Sequence, residues 1–255
     1  MTYSLINLHK SNGVATVTLN APPLNIISIA MMSEISAALE DISGDDEIRV
    51  IHFTGAGVKA FSAGVEIREH TPQLVEKMLV GFHDIFRGLI KSERVTIASV
   101  RGHCLGGGFE LAAACDVVVA SEGAKFSLPE IKLGCFPPVA AALFPRLVGA
   151  KRAEWLMTTG DTIDAHAAWE MGLVTEVVSD AALVSRADEM IATVCDKSAA
   201  VITLARHASP DWRAEFLRDL DHAERVYLRD LVRTADMHEG LTAFAEKREP
   251  SWRHK

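Results

Sequence analysis

Residues 100–130, VRGHCLGGGFELAAACDVVVASEGAKFSLPE, decide how the rest of the chain is read. An apolar strand from Val95 to Val100 leads into three consecutive glycines, Gly106, Gly107 and Gly108, and then into a short apolar segment holding one carboxylate, Glu110. A second apolar strand, Val117 to Ala120, precedes another carboxylate, Glu130, which directly follows Pro129. Consecutive glycines let the main chain approach a ligand closely, and a helix beginning there offers unpaired N–H groups at the positive end of its dipole. Such a place suits an anion, or a carbonyl oxygen that is gaining charge. If the second strand lies beside the first, Glu130 returns to Glu110, and two carboxylates near an oxyanion-binding main chain can move protons next to an activated carbonyl. The same residues also suit tight helix–strand packing with Glu110 as a dipole partner, and the pattern alone leaves both readings open.

Upstream, residues 5–19 alternate apolar and polar around Ser11-Asn12-Gly13, a hairpin pattern that Pro22-Pro23 ends. Ser28 can cap a helix over residues 30–42, with Met31, Ile35, Ala38, Leu39 and Ile42 on one face. A strand over residues 50–54 runs into Gly55-Ala56-Gly57, which with Ala60 imitates a dinucleotide-binding fingerprint. The imitation fails on context, because VKAFSAGVEI (58–67) is no helix pattern and holds another small-residue turn, Ser62-Ala63-Gly64. Thr71-Pro72 predicts a helix reaching to about residue 90. Strands alternating with helices to this point predict a largely parallel sheet.

Downstream, IKLGCFPPVAAALFPRLVG (131–149) is apolar and broken by Pro137, Pro138 and Pro145, which fits a buried loop and short helix, a pocket wall, or both. From Ala150 the pattern turns helical: residues 150–158, 164–171, 181–195, 199–207 and a long helix from Pro210 to Asp236, with 173–178 as the sole strand. This last part reads as a cap on the core or a subunit contact, and the basic end, residues 247–255, as solvated.

The composition bounds the function. With 255 residues, 49% hydrophobic and 24% charged, the chain reads as a soluble globular protein with a sizeable core. A formal charge of -8 argues against nucleic acid as a partner. Cys104, Cys115, Cys135 and Cys195 are scattered without a C-x-x-C pair, and the ten histidines show no ligand spacing, so neither a disulfide framework nor a metal is expected. Ser62 and Ser99 lack a nucleophile elbow. No apolar run approaches a membrane span and the first residues show no leader pattern, which predicts a cytoplasmic protein without a membrane partner.

Five separated segments, in order, carry a resemblance: KAFSAGVEI (59–67), GHCLGGGFELAAACD (102–116), FSLPEIKLG (126–134), AAWEMGLV (167–174) and EGLTAFAEKR (239–248). Over essentially its whole length the chain resembles the enoyl-CoA hydratase/isomerase (crotonase) family. The resemblance implies an α/β fold with a spiral core of ββα turns over residues 1–195 and a helical region over 196–255. That region mediates trimerisation in the family, commonly as a dimer of trimers. It implies an acyl-CoA thioester substrate, with CoA part of the substrate and no separate cofactor. The thioester oxygen would be held by the backbone N–H groups of Val65 and Gly107. Glu110 and Glu130 match the two glutamates that flank the water in the family's hydratases, whereas members with other chemistry often keep one or neither.

The same resemblance places residues 59–63, with Lys59, Ala60, Phe61 and Ala63, at the adenine pocket, and counts Ile67, Gly106 and Pro129 among the substrate-binding residues. Phe244 and Lys247 match positions that reach the CoA of a neighbouring subunit. Where the family often has Lys-Ala-Leu-Asn after the first hairpin, this chain has Pro22-Pro23-Leu24-Asn25, one residue shorter and without the lysine. Where many short-chain hydratases carry Pro-Gly-x-Gly-Gly-Thr-Gln, it has Phe136-Pro137-Pro138-Val139-Ala140-Ala141-Ala142-Leu143, an apolar, stiffer wall suited to a compact cyclic or branched acyl group. Together with residues 22–26 and 128–134, that wall resembles the cyclohexa-1,5-diene-1-carbonyl-CoA hydratases of benzoyl-CoA breakdown, which form 6-hydroxycyclohex-1-ene-1-carbonyl-CoA. A short-chain 2-enoyl-CoA hydratase, a double-bond isomerase, and a noncatalytic CoA- or RNA-binding relative are the alternatives.

Overall fold

In the computed structural model, which describes residues 3–208 and 212–255, the chain opens with the hairpin its Asn-Gly pair dictates. Strands β1 (Ile6–Ser11) and β2 (Val14–Leu19) pair antiparallel. Asn12 and Gly13 join them at φ 51° and 81°, the left-handed pair that matches a two-residue turn to strand twist. Helix α1 (Ile29–Ser43) starts where Ser28 accepts a hydrogen bond from the Met31 N–H at 3.3 Å, and it buries the expected stripe, Met31, Ile35, Ala38, Leu39 and Ile42.

The chain then repeats one unit: a long strand, a short strand, a helix. The first repeat is β3 (Val50–Gly55), β4 (Ala60–Ser62) and α2 (Val75–Lys91). The second is β5 (Val95–Val100), β6 (His103–Leu105) and α3 (Gly107–Ala113). The third is β7 (Val117–Ser121), β8 (Lys125–Ser127), a 3₁₀ segment (Pro129–Leu133) and α4 (Pro138–Val148). After α5 (Ala150–Thr159), β9 (Ile163–Asp164) and α6 (Ala165–Met171), β10 (Glu176–Val178) closes the series. The long strands and the opening hairpin make one sheet, β1-β2-β3-β5-β7-β10, parallel from β2 onward. The short strands make a second, β4-β6-β8-β9. Each repeat therefore adds one strand to each sheet, which is a spiral.

Helix α7 (Leu183–Cys195) covers the outer face of the large sheet through Leu183, Ala187 and Ile191. Helix α8 (Ala199–Ala208) is tied down at Arg206, 2.8 Å from the Asp116 carboxylate, which also accepts the Thr96 N–H and hydroxyl at 2.8 Å each. Helix α9 (Trp212–Arg229) sinks Phe216, Leu220 and Tyr227 into the main core, and α10 (Ala235–Glu246) follows it.

Several sequence-based boundaries move. Helix α2 begins three residues after Pro72, because the Thr71 carbonyl first closes a turn by accepting the Leu74 and Val75 N–H groups. The long helix expected from Pro210 to Asp236 is two: α9 ends at Arg229, a 3₁₀ turn (Leu231–Arg233) intervenes, and Thr234 caps α10 by accepting the Met237 N–H at 3.2 Å. The expected start at Pro210 lies outside the described residues. The short β9 adds a strand that the sequence pattern omits.

Candidate active site

The two sheets determine what meets what. Strand β6 pairs in parallel with β8, Leu105 opposite Ser127, and the Gly106 N–H donates to the Ser127 carbonyl at 2.9 Å. The residues that follow the two strands are thereby held together, so Glu130 arrives beside the glycine triplet although twenty positions separate it from Glu110. A Cβ on Gly106 would stand 2.5 Å from Glu130 Oε1. Gly106 itself has φ 50°, in the left-handed region that glycine enters without strain.

Each glycine of the triplet has its own reason. A Cβ on Gly107 would stand 2.8 Å from both Phe82 Cζ and Val65 Cγ2, and one on Gly108 would meet the Ser62 carbonyl oxygen at 2.6 Å. Gly108 is helix–strand packing; Gly106 leaves room for a carboxylate; Gly107 leaves room for the segment bearing Val65.

Val65 is set by its own ladder. The Ile27 N–H donates to the Gly64 carbonyl at 2.9 Å, and the Ile27 carbonyl accepts the Glu66 N–H at 3.1 Å. In a parallel bridge of this pattern the N–H of the residue between them points away from the partner strand. That is the side on which Gly64, at φ 99°, leans over Leu105 and Gly107. Asn25, fully buried, holds this region: its amide nitrogen lies 3.0, 2.9 and 3.2 Å from the carbonyls of Ala56, Ala60 and Phe61, and its side-chain oxygen accepts the Ala21 N–H at 3.1 Å. Sequence reasoning missed Asn25; its position directly after Pro22-Pro23-Leu24 was the available signal.

The carboxylates differ in surroundings. Glu110 is 2% exposed, and its Oε1 accepts the Ala140 N–H at 2.7 Å, at the open first turn of α4. Burial raises its pKa, while the Ala140 and Val139 N–H groups pull it back. Glu130 has a buried Oε2 with no hydrogen-bond partner. Its pKa is raised first by burial and then by the charge of Glu110. The pair holds a proton well above the usual carboxylate range, and its two ionisations belong to both groups together. Glu110 has two backbone donors from α4 that favour the anion, whereas Glu130 has only its own N–H and an unpartnered Oε2, so the shared proton belongs on Glu130. The donor at Ala140 was also missed in the sequence, since it depends on where Pro138 starts α4.

The remaining sequence-named residues fall into groups. Pro129 opens the 3₁₀ segment that carries Glu130. Pro137 is buried at the N-cap of α4, and half-buried Phe136 lays its ring against that of Tyr227, centroids 5.2 Å apart. Ala60 and Phe61 are buried in β4, between exposed Lys59 and half-buried Ala63. Ile67 lines a cavity of about 660 Å³ together with Arg68, His70, Phe244 and Lys247. Phe244 and Lys247 come from α10 and its end, so the chain's last helix and the loop after β4 share this cavity. Among the described residues, no three His, Cys, Asp or Glu side chains are grouped to hold a metal, and no helix is long and apolar enough to cross a membrane.

Comparison with known proteins agrees with this arrangement. The family model described as enoyl-CoA hydratase/isomerase matches residues 9–255. A probable enoyl-CoA hydratase of Mycobacterium bovis is 35% identical over 258 residues, covering 100% of both chains. A cyclohexa-1,5-dienecarbonyl-CoA hydratase of Thauera aromatica is 34% identical over 251 residues, covering 97% of this chain and 96% of that one. The crystal structure of an enoyl-CoA hydratase from Mycobacterium avium subsp. paratuberculosis superposes with a TM-score of 0.86 at 30% identity, over 98% of this chain and 99% of that one.

Proposed function

The chain belongs to the enoyl-CoA hydratase/isomerase family, and from that premise we propose that it hydrates a conjugated enoyl-CoA thioester with Glu110 and Glu130 as its acid–base pair. The observation that carries this reading is the placing of buried Glu110, held by the Ala140 N–H, and of Glu130, with a buried and unpartnered Oε2, beside Gly106. Water between them loses a proton to Glu110 as its oxygen bonds to the distal carbon of the double bond. The electrons move onto the thioester oxygen, where the Val65 and Gly107 N–H groups hold the enolate. Loss of one such donor costs about 2.7–4 kcal/mol of barrier in comparable sites. Glu130 then delivers its proton to the carbon chain, at the α-carbon of a simple enoyl group or at the far end of a conjugated ring.

The compact apolar wall of Phe136, Pro137 and Ala140 supports a cyclic acyl group, cyclohexa-1,5-diene-1-carbonyl-CoA, giving 6-hydroxycyclohex-1-ene-1-carbonyl-CoA as in benzoyl-CoA degradation. The cavity of Ile67, Arg68, His70, Phe244 and Lys247 is offered for the CoA end, where the Arg68 and Lys247 side chains suit phosphate and an aromatic ring suits adenine. The reading also takes residues 1–195 as the spiral core and 196–255 as a trimerising region of a cytoplasmic enzyme; exposed Val201 and Leu204 on α8 suit such a contact.

Purified protein given the cyclic dienoyl-CoA and crotonyl-CoA in ¹⁸O-labelled water decides the matter. Label in the product alcohol is expected, with the faster substrate naming the acyl class. Unlabelled product from both would sink the hydratase reading and leave double-bond migration in its place.

A further inference from the structure

The acid–base pair has a partition on its far side, with space behind it. The Cys135 N–H donates to the Glu130 carbonyl at 3.0 Å, and the buried Cys135 thiol meets the Tyr227 hydroxyl. Tyr227, from α9 and 2% exposed, packs its ring on Phe136 with the planes inclined at 57°. Its hydroxyl is pushed well above its ordinary value, by burial first, then by Cys135 and by the nearby charges of Glu130 and Glu110. The Cys135–Glu130 hydrogen bond and the Phe136–Tyr227 ring contact thus set this trio directly beside Glu130. Cys135 and Phe136 also line a cavity of about 550 Å³ with Ile131, Gly134, Leu231 and Trp252, together with the polar Thr234, Asp236, His254 and Lys255. The carboxylate at its edge, Asp236, is already engaged by the Arg253 and His254 N–H groups at 2.6 and 2.8 Å, which leaves the lining largely apolar.

The partition is braced. Glu224, one helical turn before Tyr227, lies 2.6 Å from His83 Nδ1 and accepts from Arg87 at 3.1 Å, both on α2. Burial keeps the His83 imidazole below its usual value, so the neutral ring donates through Nδ1–H. Helix α9 is thus clamped to α2 one turn before Tyr227.

We propose that Cys135, Phe136 and Tyr227 form the end wall of the acyl pocket and set the length of acyl group accepted, and that the apolar cavity behind them would house a longer chain if the wall were opened. This inference rests on the acyl-CoA reading above. A cavity of this size falls within the roughly 300–1,000 Å³ of small-molecule sites, enough for an extended alkyl tail.

The test measures binding of butyryl-CoA and dodecanoyl-CoA by calorimetry, both saturated and so immune to hydration, to the native protein, Tyr227→Ala, Phe136→Ala and Tyr227→Phe. The native protein should prefer the short thioester. Both alanine variants should shift the long-to-short affinity ratio toward dodecanoyl-CoA by about tenfold or more, and Tyr227→Phe, which keeps the ring, should retain the native ratio. Circular dichroism checks folding; should Tyr227→Ala fail to fold, Phe136→Ala on the half-buried loop decides. An unchanged ratio in the folded alanine variants, or native protein that already binds both thioesters equally, overturns the end wall while leaving the acyl-CoA reading intact. Native protein that binds neither thioester overturns both.

Discussion

A methyl group at Gly106 would stand 2.5 Å from Glu130 Oε1, and the residue would keep a left-handed φ of 50°. Gly106→Ala therefore has two separable effects: backbone strain of about 1–2 kcal/mol, and displacement of a proton donor, for which an error near 1 Å can cost about 100-fold in rate. Turnover of the same enoyl-CoA substrates should fall by about that factor with little change in KM, while circular dichroism shows a folded protein. Glu130 gives a second prediction at this scale. Its folded pKa lies above its unfolded one, so the native state binds the extra proton and stability declines as pH rises through the raised value. Glu130→Gln removes that loss: thermal melts should show the variant gaining on the native protein at pH 8 and 9 and not at pH 4, with hydration abolished throughout. The meeting of Glu130 with the glycine triplet was legible in the sequence, because close approach of main chain demands glycine and parallel neighbouring strands bring their following residues together. Asn25 and the Ala140 N–H were not, since each acts through contacts between segments about 30 positions apart.

Helix α9 shows what element patterns reveal and conceal. Apolar spacing continues through Leu228, Leu231 and Val232 without a glycine or proline to stop it, so the sequence reads as one helix. The break follows from packing: Gly240 of α10 lies so close on the Leu133 carbonyl that no Cβ fits there, and the chain has to turn to bring it in. Helix α2 differs at its start for a similar local reason, a turn closed by the Thr71 carbonyl before the helix begins. By contrast α1 and the strands β1, β2, β3 and β5 were legible, because a cap, an Asn-Gly turn and β-branched runs act over a few neighbouring residues. The clamp between α2 and α9 yields the prediction for this scale. Glu224 is held below its usual value, chiefly by its hydrogen bond from His83, so its contribution is present near neutrality and is lost as acid protonates it. Glu224→Ala should lower unfolding stability in urea by about 2–3 kcal/mol at pH 7, with the deficit shrinking below pH 4.

For the molecule as a whole, the spiral brings the ends of short strands from successive repeats to one place, and it draws the last helix in as well. Phe244 and Lys247 share a cavity with Ile67, Arg68 and His70, so the chain's final segment sits next to its first loop after β4. Lys247→Ala should raise KM for a CoA thioester by about tenfold, near 1.4 kcal/mol, and leave kcat close to native. The same variant should lose little toward a pantetheine thioester, which has no 3′-phosphate; equal losses on both would remove Lys247 from phosphate contact. The parallel order of the large sheet was legible from alternating elements, whereas the division of strands between two sheets was not, because three-residue strands carry almost no periodicity. One consequence of this packing lies in the sulfur atoms. Cys104, Cys115 and Cys135 are free and buried, Cys195 is half-buried, and burial makes all four thiols harder to ionise. An alkylating reagent added to the native enzyme should thus mark Cys195 at once and the others only when the interior opens, so the mass of the labelled chain becomes a clock for how often each layer of the spiral comes undone.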